Sequence, residues 1–433
     1  MSDIHRMSVP PTWLRVIAAT VGGAILSLLA PPTNLWWMQW FAYLPMLWAI
    51  HPDTPRSNRW LSFLYGTFGV GMLFRWIIHT IVIFSPIPWI GAFAILLLFS
   101  SVFGLPYLVL WPMLHPMRKR LGIGWIYALP ALQVVLEWLS MKVLLFPYQH
   151  GVGQYRVPWT WQLASVTGVY GLTWLLFHVN CVIGECMYRW REGRPMPVKA
   201  IGGAGALVAA VLVFGAWRVR HVDAIVQAAP TLRVAQLQSD RGMEWRMTHG
   251  ARDAWNEWVD ETRKVAPGSV DLVVWPEGAS PYDLNQQGPR ENLAPKMLGE
   301  LAKRGGFDLL VGGGTRTREP DPEMGEDRVN VFNSVYWFDA DGKERGHYDK
   351  LVPLPFGEYL PMAWAYPWLA KQLPIGDFRA GTEAIVFDTS HGRIATPICY
   401  EVTDAGFVRR LVHEGRASLI VTLANDGWFG RTR

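Results

Sequence analysis

Three cysteines in 433 residues are too few for a disulfide framework. Histidine and cysteine form no cluster at metal-ligand spacing, and no His-Glu-x-x-His motif occurs, so no metal and no cofactor is expected. Charge is scarce as well. Asp, Glu, Lys and Arg make up 17% of the chain against 51% apolar residues, which excludes an ordinary soluble protein of this length. Gly312-Gly313-Gly314 has no Lys-Ser or Lys-Thr after it; that excludes a phosphate loop and leaves a strand-end turn. The net charge of +5 would suit nucleic acid, but the basic residues gather in short loops between apolar runs. There they report membrane orientation instead, and no nucleic-acid partner is expected.

What the chain has in abundance is apolar length. About 20 apolar residues cross a bilayer core as a helix, and seven stretches qualify: roughly 11–30, 34–50, 60–84, 89–114, 123–146, 160–188 and 198–217. The second is short, marked off only by Pro31-Pro32 and His51-Pro52. No small-residue cleavage site follows the first, so it is not a removable signal. Trp36, Trp37, Trp40, Trp89, Trp111, Trp159 and Trp161 stand near predicted span ends, as an interfacial belt would. Arg6, then Arg56 and Arg59, then Arg118, Lys119 and Arg120, then Arg189, Arg191, Arg194 and Lys199 occupy alternate loops. The other loops are almost free of base. The N-terminus is thus expected in the cytoplasm, and everything after about residue 218 outside, in the periplasm of a bacterium with two membranes.

Arg75, His79, Glu137, His178 and Glu185 fall inside these spans. Intramembrane charge must be paired or solvated. Arg75 and Glu137 are candidates to pair with each other or face a polar cavity, whereas Glu185 and Lys142 lie near span ends and can snorkel. Gly202, Gly203 and Gly205 suggest close helix contact. Cys181 and Cys186 read as small hydrophobes.

From Thr231 onward short β-rich runs alternate with amphipathic segments, the pattern of an α/β layered domain. Strands are expected at 232–238, 271–275, 308–312, 331–339, 384–388, 392–398 and 418–423, and helices at 251–265, 292–304 and 404–413. The boundary with the membrane part falls at about residue 220, giving domains 1–220 and 221–433.

Three places in this half carry polar groups that local structure does not need. Leu272-Val273-Val274-Trp275-Pro276-Glu277 ends an apolar strand on a carboxylate, either a turn acid facing water or a base. Tyr348-Asp349-Lys350 leads into a proline-rich extended path that ends at Glu358. Lys350 alone would read as a solvated charge. Gly392-Arg393-Ile394-Ala395-Thr396-Pro397-Ile398-Cys399 ends a strand on a thiol at the entry to a helix. Most single cysteines are inert, but at such a corner amide dipoles and a nearby cation more easily lower the thiol pKa from about 8.5. Together the three fit one chemistry: a nucleophile, a carboxylate to take its proton, and a cation for the thiolate and the oxyanion.

The order Trp275-Pro276-Glu277, Tyr348-Asp349-Lys350 with Pro355-Phe356-Gly357-Glu358-Tyr359, then Cys399-Tyr400-Glu401 resembles the nitrilase (carbon–nitrogen hydrolase) superfamily and its Glu-Lys-Cys triad. With seven spans ahead of it, the whole chain is similar to the apolipoprotein N-acyltransferase family. Phe146-Pro147-Tyr148, Gly168-Val169-Tyr170-Gly171-Leu172 and Asn425-Asp426-Gly427-Trp428-Phe429-Gly430 extend the likeness from the first span to the end. The resemblance implies an all-α transmembrane bundle followed by a nitrilase-like four-layer αββα sandwich. It implies Glu277 as base, Lys350 as oxyanion stabiliser and Cys399 as nucleophile. Glu358 would then position the lysine or assist in proton transfer, and Tyr400 and Glu401 follow the nucleophile. Trp245 would stand on a mobile arm near the site, and Asn333 would line it. The implied reaction moves an acyl chain from a phospholipid to Cys399 and then to the α-amine of a diacylglyceryl apolipoprotein, in the bacterial inner membrane. The family continues past Gly430 with more sandwich and a last span, so this chain is expected to be a truncated or fragmentary version. The readings that compete are a membrane-tethered amidase with the same triad and a non-catalytic membrane protein.

Overall fold

A computed structural model of the chain describes residues 9–28, 33, 35–143, 149–239, 241, 243–285, 293–320, 327–361, 364 and 376–429. Pro31-Pro32, Phe146-Pro147-Tyr148 and Gly430 lie outside these. The chain divides into two compact units that part between Ala229 and Pro230.

The first unit is helical. Among the described residues three helical stretches, Tyr107–Val143, Val169–Arg191 and Val198–Ala228, are long and apolar enough to cross a membrane. Pro55–Leu73 and Trp76–Phe84, bent by 56°, make a fourth if taken as one span, and Thr12–Leu28 and Trp89–Gly104 are apolar but shorter. The expected second span is not a continuous helix. It is a 3-10 turn at Trp36–Trp40 and a short helix at Leu44–Ala49, because its polar groups are tied sideways. The buried Gln39 donates to the His150 carbonyl at 2.5 Å and accepts from Gln154 Nε2 at 2.6 Å, while the Tyr43 amide donates to Asn180 Oδ1 at 3.1 Å.

Other details of this unit also depart from the sequence reading. Arg75 does not pair with Glu137: it is exposed and donates to the Met72 carbonyl at 3.1 Å. Glu137 is buried and meets His150 Nδ1, accepts from Gln133 Nε2 at 3.0 Å and Thr173 Oγ1 at 3.0 Å, and lines a cavity with Tyr107, Gln133 and Ser140. Glu185 does not snorkel; it is buried and bound by Arg118, Arg189 and Trp125. Trp111 is fully buried in the core rather than interfacial. A Cβ on Gly202, Gly203 or Gly205 would meet nothing within 4 Å among the described residues, so these are not contact glycines.

The second unit is α/β. Five strands, β1 (Val234–Gln236), β2 (Leu272–Val274), β3 (Asp308–Pro320), β4 (Asp327–Phe338) and β5 (Glu344–Asp349), form a sheet in sequence order. β1–β3 are parallel and β3–β5 antiparallel. A second sheet holds β6 (Val386–Thr389), β7 (Gly392–Ala395) and β8 (Leu419–Ile420).

Strand alternation builds two cores from the larger sheet. Val273, Leu309, Val311, Tyr336 and Phe338 pack under the helices Met243–Lys264 and Leu293–Gly305, against Trp255, Trp258 and Leu298. Their neighbours Leu272, Val274, Leu310 and Val335 face the other way, against Phe387, Ile394, Ala395 and Ile398 of the second sheet's region and Phe407 and Leu411 of the Ala405–His413 helix.

Gly312-Gly313-Gly314 is not a strand-end turn but the middle of β3. Residues just after Glu277 pass over it, with the Ser280 and Leu284 amides donating to the carbonyls of Gly312 and Gly314, both at 2.9 Å. A side chain at those glycines would stand in their way.

Candidate active site

Glu277 stands three residues beyond the end of β2, directly after Pro276. The strand end is held from both sides. The Trp275 amide donates to the Leu310 carbonyl at 2.8 Å, and its indole donates to Thr262 Oγ1 at 2.8 Å beside Trp255 and Trp258. The buried Glu277 carboxylate accepts from Asn333 Nδ2 at 2.7 Å on one oxygen and from the Asn425 amide at 3.0 Å on the other. Gly312 lies directly beneath: an added Cβ would collide with the Pro276 carbonyl and come within 2.8 Å of Glu277 Cα. We therefore expect Gly312→Ala to displace Glu277 and destabilise the unit by about 1–3 kcal/mol. Turnover should fall further than the melting temperature alone accounts for, and unchanged turnover at full occupancy of the fold would refute this placement.

Lys350 leaves the end of β5 with both backbone groups bound. Its amide donates to the Asn333 carbonyl at 2.8 Å, and its carbonyl accepts from Gly381 at 2.8 Å. Strand alternation sends the preceding Asp349 away to Ser334 Oγ at 2.6 Å, and Lys350 inward. Its side chain is almost wholly buried, with Nζ at 2.7 Å from Glu358 and 3.5 Å from Glu277. Burial disfavours the charge, but the two carboxylates outweigh it and hold the pKa above the ordinary lysine value. Glu358 is itself fixed by the Leu354 amide at 2.6 Å and Asn333 Nδ2 at 2.7 Å. Asn333, on β4, thus spans both carboxylates.

Cys399 follows β7 and opens a 3-10 turn, Cys399–Thr403; the helix begins only at Ala405. Its φ of 49° is left-handed, uncommon for any residue but glycine, at a cost of about 1–3 kcal/mol. The Cys399 amide donates to the Leu423 carbonyl at 2.7 Å. The thiol is half-buried, and its pKa is not lowered as the corner position suggested but pushed up to about 12. Burial is the main cause, followed by the charge of Glu277 and a hydrogen bond to it; Lys350 pulls the other way without prevailing. The shift favours the protonated thiol beside the Glu277 carboxylate.

Glu401, fully buried, connects the cysteine turn to the lysine segment. It accepts from the Ile398 amide at 2.7 Å, Tyr348 OH at 2.7 Å, the Leu351 amide at 2.6 Å and the Val352 amide at 3.0 Å. Burial raises its pKa, with these bonds opposing. Tyr400 lies in the same turn, half-buried, its hydroxyl pushed to about 12 chiefly by burial.

Trp245 is placed differently. It sits before the kink at Gly250 in Met243–Lys264, and its described ring contacts are His249, stacked at 4.5 Å, and Arg241 at 4.8 Å, not the triad. The structure thus brings together Glu277, Lys350, Cys399, Glu358 and Asn333, with Glu401 bracing them. The Asn425 amide is the partner that sequence alone did not offer, since a backbone donor leaves no side-chain signature. Among the described residues no group of three or more His, Cys, Asp or Glu could hold a metal ion.

Two families match most of the chain. Residues 22–182 match the apolipoprotein N-acyltransferase N-terminal domain, and residues 224–433 match the carbon-nitrogen hydrolase family. An apolipoprotein N-acyltransferase of Geobacter metallireducens is 30% identical over 96% of this chain and 78% of its own. One of Brucella suis is 29% identical over 97% and 80%. Among solved structures, a CN-hydrolase superfamily protein from Xanthomonas campestris matches at 20% identity and a TM-score of 0.31, covering 46% of this chain and 66% of that one.

Proposed function

The chain belongs to the apolipoprotein N-acyltransferase family, and from that premise we propose how its residues carry out lipoprotein N-acylation. The enzyme is an acyltransferase of the membrane, and Cys399 is its nucleophile. As Cys399 Sγ attacks the ester carbonyl carbon of a phospholipid, Glu277 takes the thiol proton. The carbonyl oxygen becomes an oxyanion, and the buried Lys350 ammonium stabilises it in a site where a fixed charge counts for more than in water. Collapse breaks the ester C–O bond. The lysophospholipid leaves with the proton from Glu277, and a thioester stays on Cys399. The neutral α-amine of a diacylglyceryl apolipoprotein then attacks the thioester carbon and gives a proton to Glu277. The C–S bond breaks, and the thiol is restored as the amide departs.

The observation that carries this reading is the half-buried Cys399 gathered with Glu277 and the buried Lys350, whose Nζ stands 3.5 Å from Glu277 and 2.7 Å from Glu358. Glu358 and Asn333 hold the lysine and the base in place. Glu401 sets the cysteine turn against the lysine segment, and Tyr400 borders the thiol. Trp245 would reach the site only if the arm before Gly250 moves.

The two sheets, with helices outside the larger one and Ala405–His413 by the smaller, support a helix–sheet–sheet–helix sandwich. The alternation of basic loops supports a cytoplasmic N-terminus and a periplasmic catalytic unit in an inner membrane.

Intact-mass measurement of the purified chain after incubation with phospholipid tests the first half-reaction. A fatty-acyl increment on Cys399, released by hydroxylamine and absent from Cys399→Ser under the same treatment, is the expected result. An equal increment on both would show that Cys399 is not the acylated residue.

A further inference from the structure

The helical unit carries a second place built for a charged ligand, away from any residue of the triad in sequence and in the other compact unit. It is an open pocket between the Leu114–Leu121 helix, the turn Gly122–Gly124 and the C-terminal end of Val169–Arg191. Its floor is a fixed ion-pair network. Glu185 accepts from Arg118 Nε at 3.0 Å, Arg189 Nε at 2.7 Å and the Trp125 indole at 2.9 Å. Glu192 accepts from two nitrogens of Arg118, at 2.5 and 3.0 Å, and from Arg194 at 3.1 Å. Arg118 is further pinned over the Tyr188 ring at 4.8 Å.

The charges in this network do not balance. Two carboxylates serve three guanidiniums, and Lys119 and Arg120 add two more positive charges to the wall, with no acidic partner recorded for either among the described residues. With histidine neutral, the lining holds five cations (Arg118, Lys119, Arg120, Arg189, Arg194) and two anions (Glu185, Glu192), a surplus of three. Arg118 still has guanidinium N–H groups to spare, since its three bonds use three of five donors. Such a site wants an anion with several acceptor oxygens, and a phosphate diester supplies them.

The surroundings say where the phosphate comes from. Ile123 lines the pocket and is exposed, as are the neighbouring Leu121 and Trp190, at 41%, 51% and 72%. Apolar side chains beside a basic pocket on a membrane helix suit acyl chains, not a water-soluble anion. We propose that this pocket binds the headgroup of an anionic glycerophospholipid, with Lys119 and Arg120 supplying the selectivity over zwitterionic lipid. This is a site for a resident lipid and is separate from the acyl donor's, so it does not depend on the catalytic reading.

Native mass spectrometry of the full chain in detergent, titrated with phosphatidylglycerol or phosphatidylcholine, reads it directly. The wild-type chain should retain phosphatidylglycerol preferentially. In Lys119→Ala with Arg120→Ala the preference should fall on the order of twentyfold, at about fivefold for each basic residue facing anionic lipid. Both residues are exposed, so the fold should survive. Lys119→Arg with Arg120→Lys keeps the charge and should keep the preference. Equal retention of the two lipids by the wild type, or an undiminished preference in the double alanine variant, overturns the proposal. So does inorganic phosphate that displaces the bound lipid at matched ionic strength, since the site would then be one for a soluble anion.

Discussion

Replacing Glu277 by glutamine is expected to send two properties of Cys399 in opposite directions. Acyl transfer should fall by about 10²–10⁴-fold, the usual worth of a positioned general base. Alkylation of the same thiol by iodoacetamide, measured at fixed pH, should become faster. The reason is the sign of the shift. Burial comes first among the causes that hold the thiol at about 12, and the Glu277 charge and hydrogen bond come next. Removing that charge lets the pKa fall, so a larger fraction is thiolate at any given pH. Glutamine keeps the length and an acceptor towards Asn333; it gives up the second acceptor at the Asn425 amide, a loss of about 1 kcal/mol. Should alkylation and transfer decline together, Glu277 would be sustaining a resting thiolate, and the neutral-thiol mechanism would be wrong.

Lys350→Met should cost stability and activity together, and a second substitution can separate them. Methionine leaves Glu277 and Glu358 buried with only Asn333 between them. Removing one partner of a buried ion pair costs roughly 3–5 kcal/mol. Adding Glu358→Gln removes one stranded charge and should recover part of that stability. Transfer should stay lost, because nothing then meets the oxyanion. Recovery of turnover in the double variant would mean that Lys350 serves the fold alone.

The alkaline limb of the stability profile gives an independent reading of the same group. The folded-state pKa of Lys350 lies above its ordinary value, so its contribution is complete below about 10.4 and is lost as pH rises through the folded value. Cys399 acts in the same sense, since the folded chain keeps a proton that the unfolded chain releases from about 8.5. Melting temperature in detergent should therefore fall with rising pH above about 8.5, and less steeply for Lys350→Met.

How much of this was legible beforehand depended on the kind of bond involved. Glu277, Lys350 and Cys399 each end a strand with a polar side chain that the strand does not need, and the three met. Glu358 was reached through a flanking motif and Asn333 through the family resemblance, and both also met. What sequence could not give was conformation and backbone donors: the left-handed φ of Cys399, the Asn425 amide, and the upward shift of the thiol pKa, which a strand-to-helix corner led us to expect downward. In the helical unit hydropathy marked apolar length but not continuity. The stretch 34–50 is apolar enough to count, yet Gln39 and the Tyr43 amide are spent on distant partners and the helix breaks. Glu137 was legible as an anomaly, but its partner His150 lies beyond a turn that no periodicity marks.

The ligation of Glu277 also sets an order of events during synthesis. Every group that holds or uses this carboxylate (Asn333, Lys350, Cys399 and the Asn425 amide) lies downstream of it, the last by 148 positions. A nascent chain therefore carries Glu277 before Lys350, and both before Cys399. The second carboxylate oxygen finds its donor only when residue 425 has left the ribosome. A chain stalled short of that point would present Glu277 with one carboxylate oxygen still lacking its backbone donor.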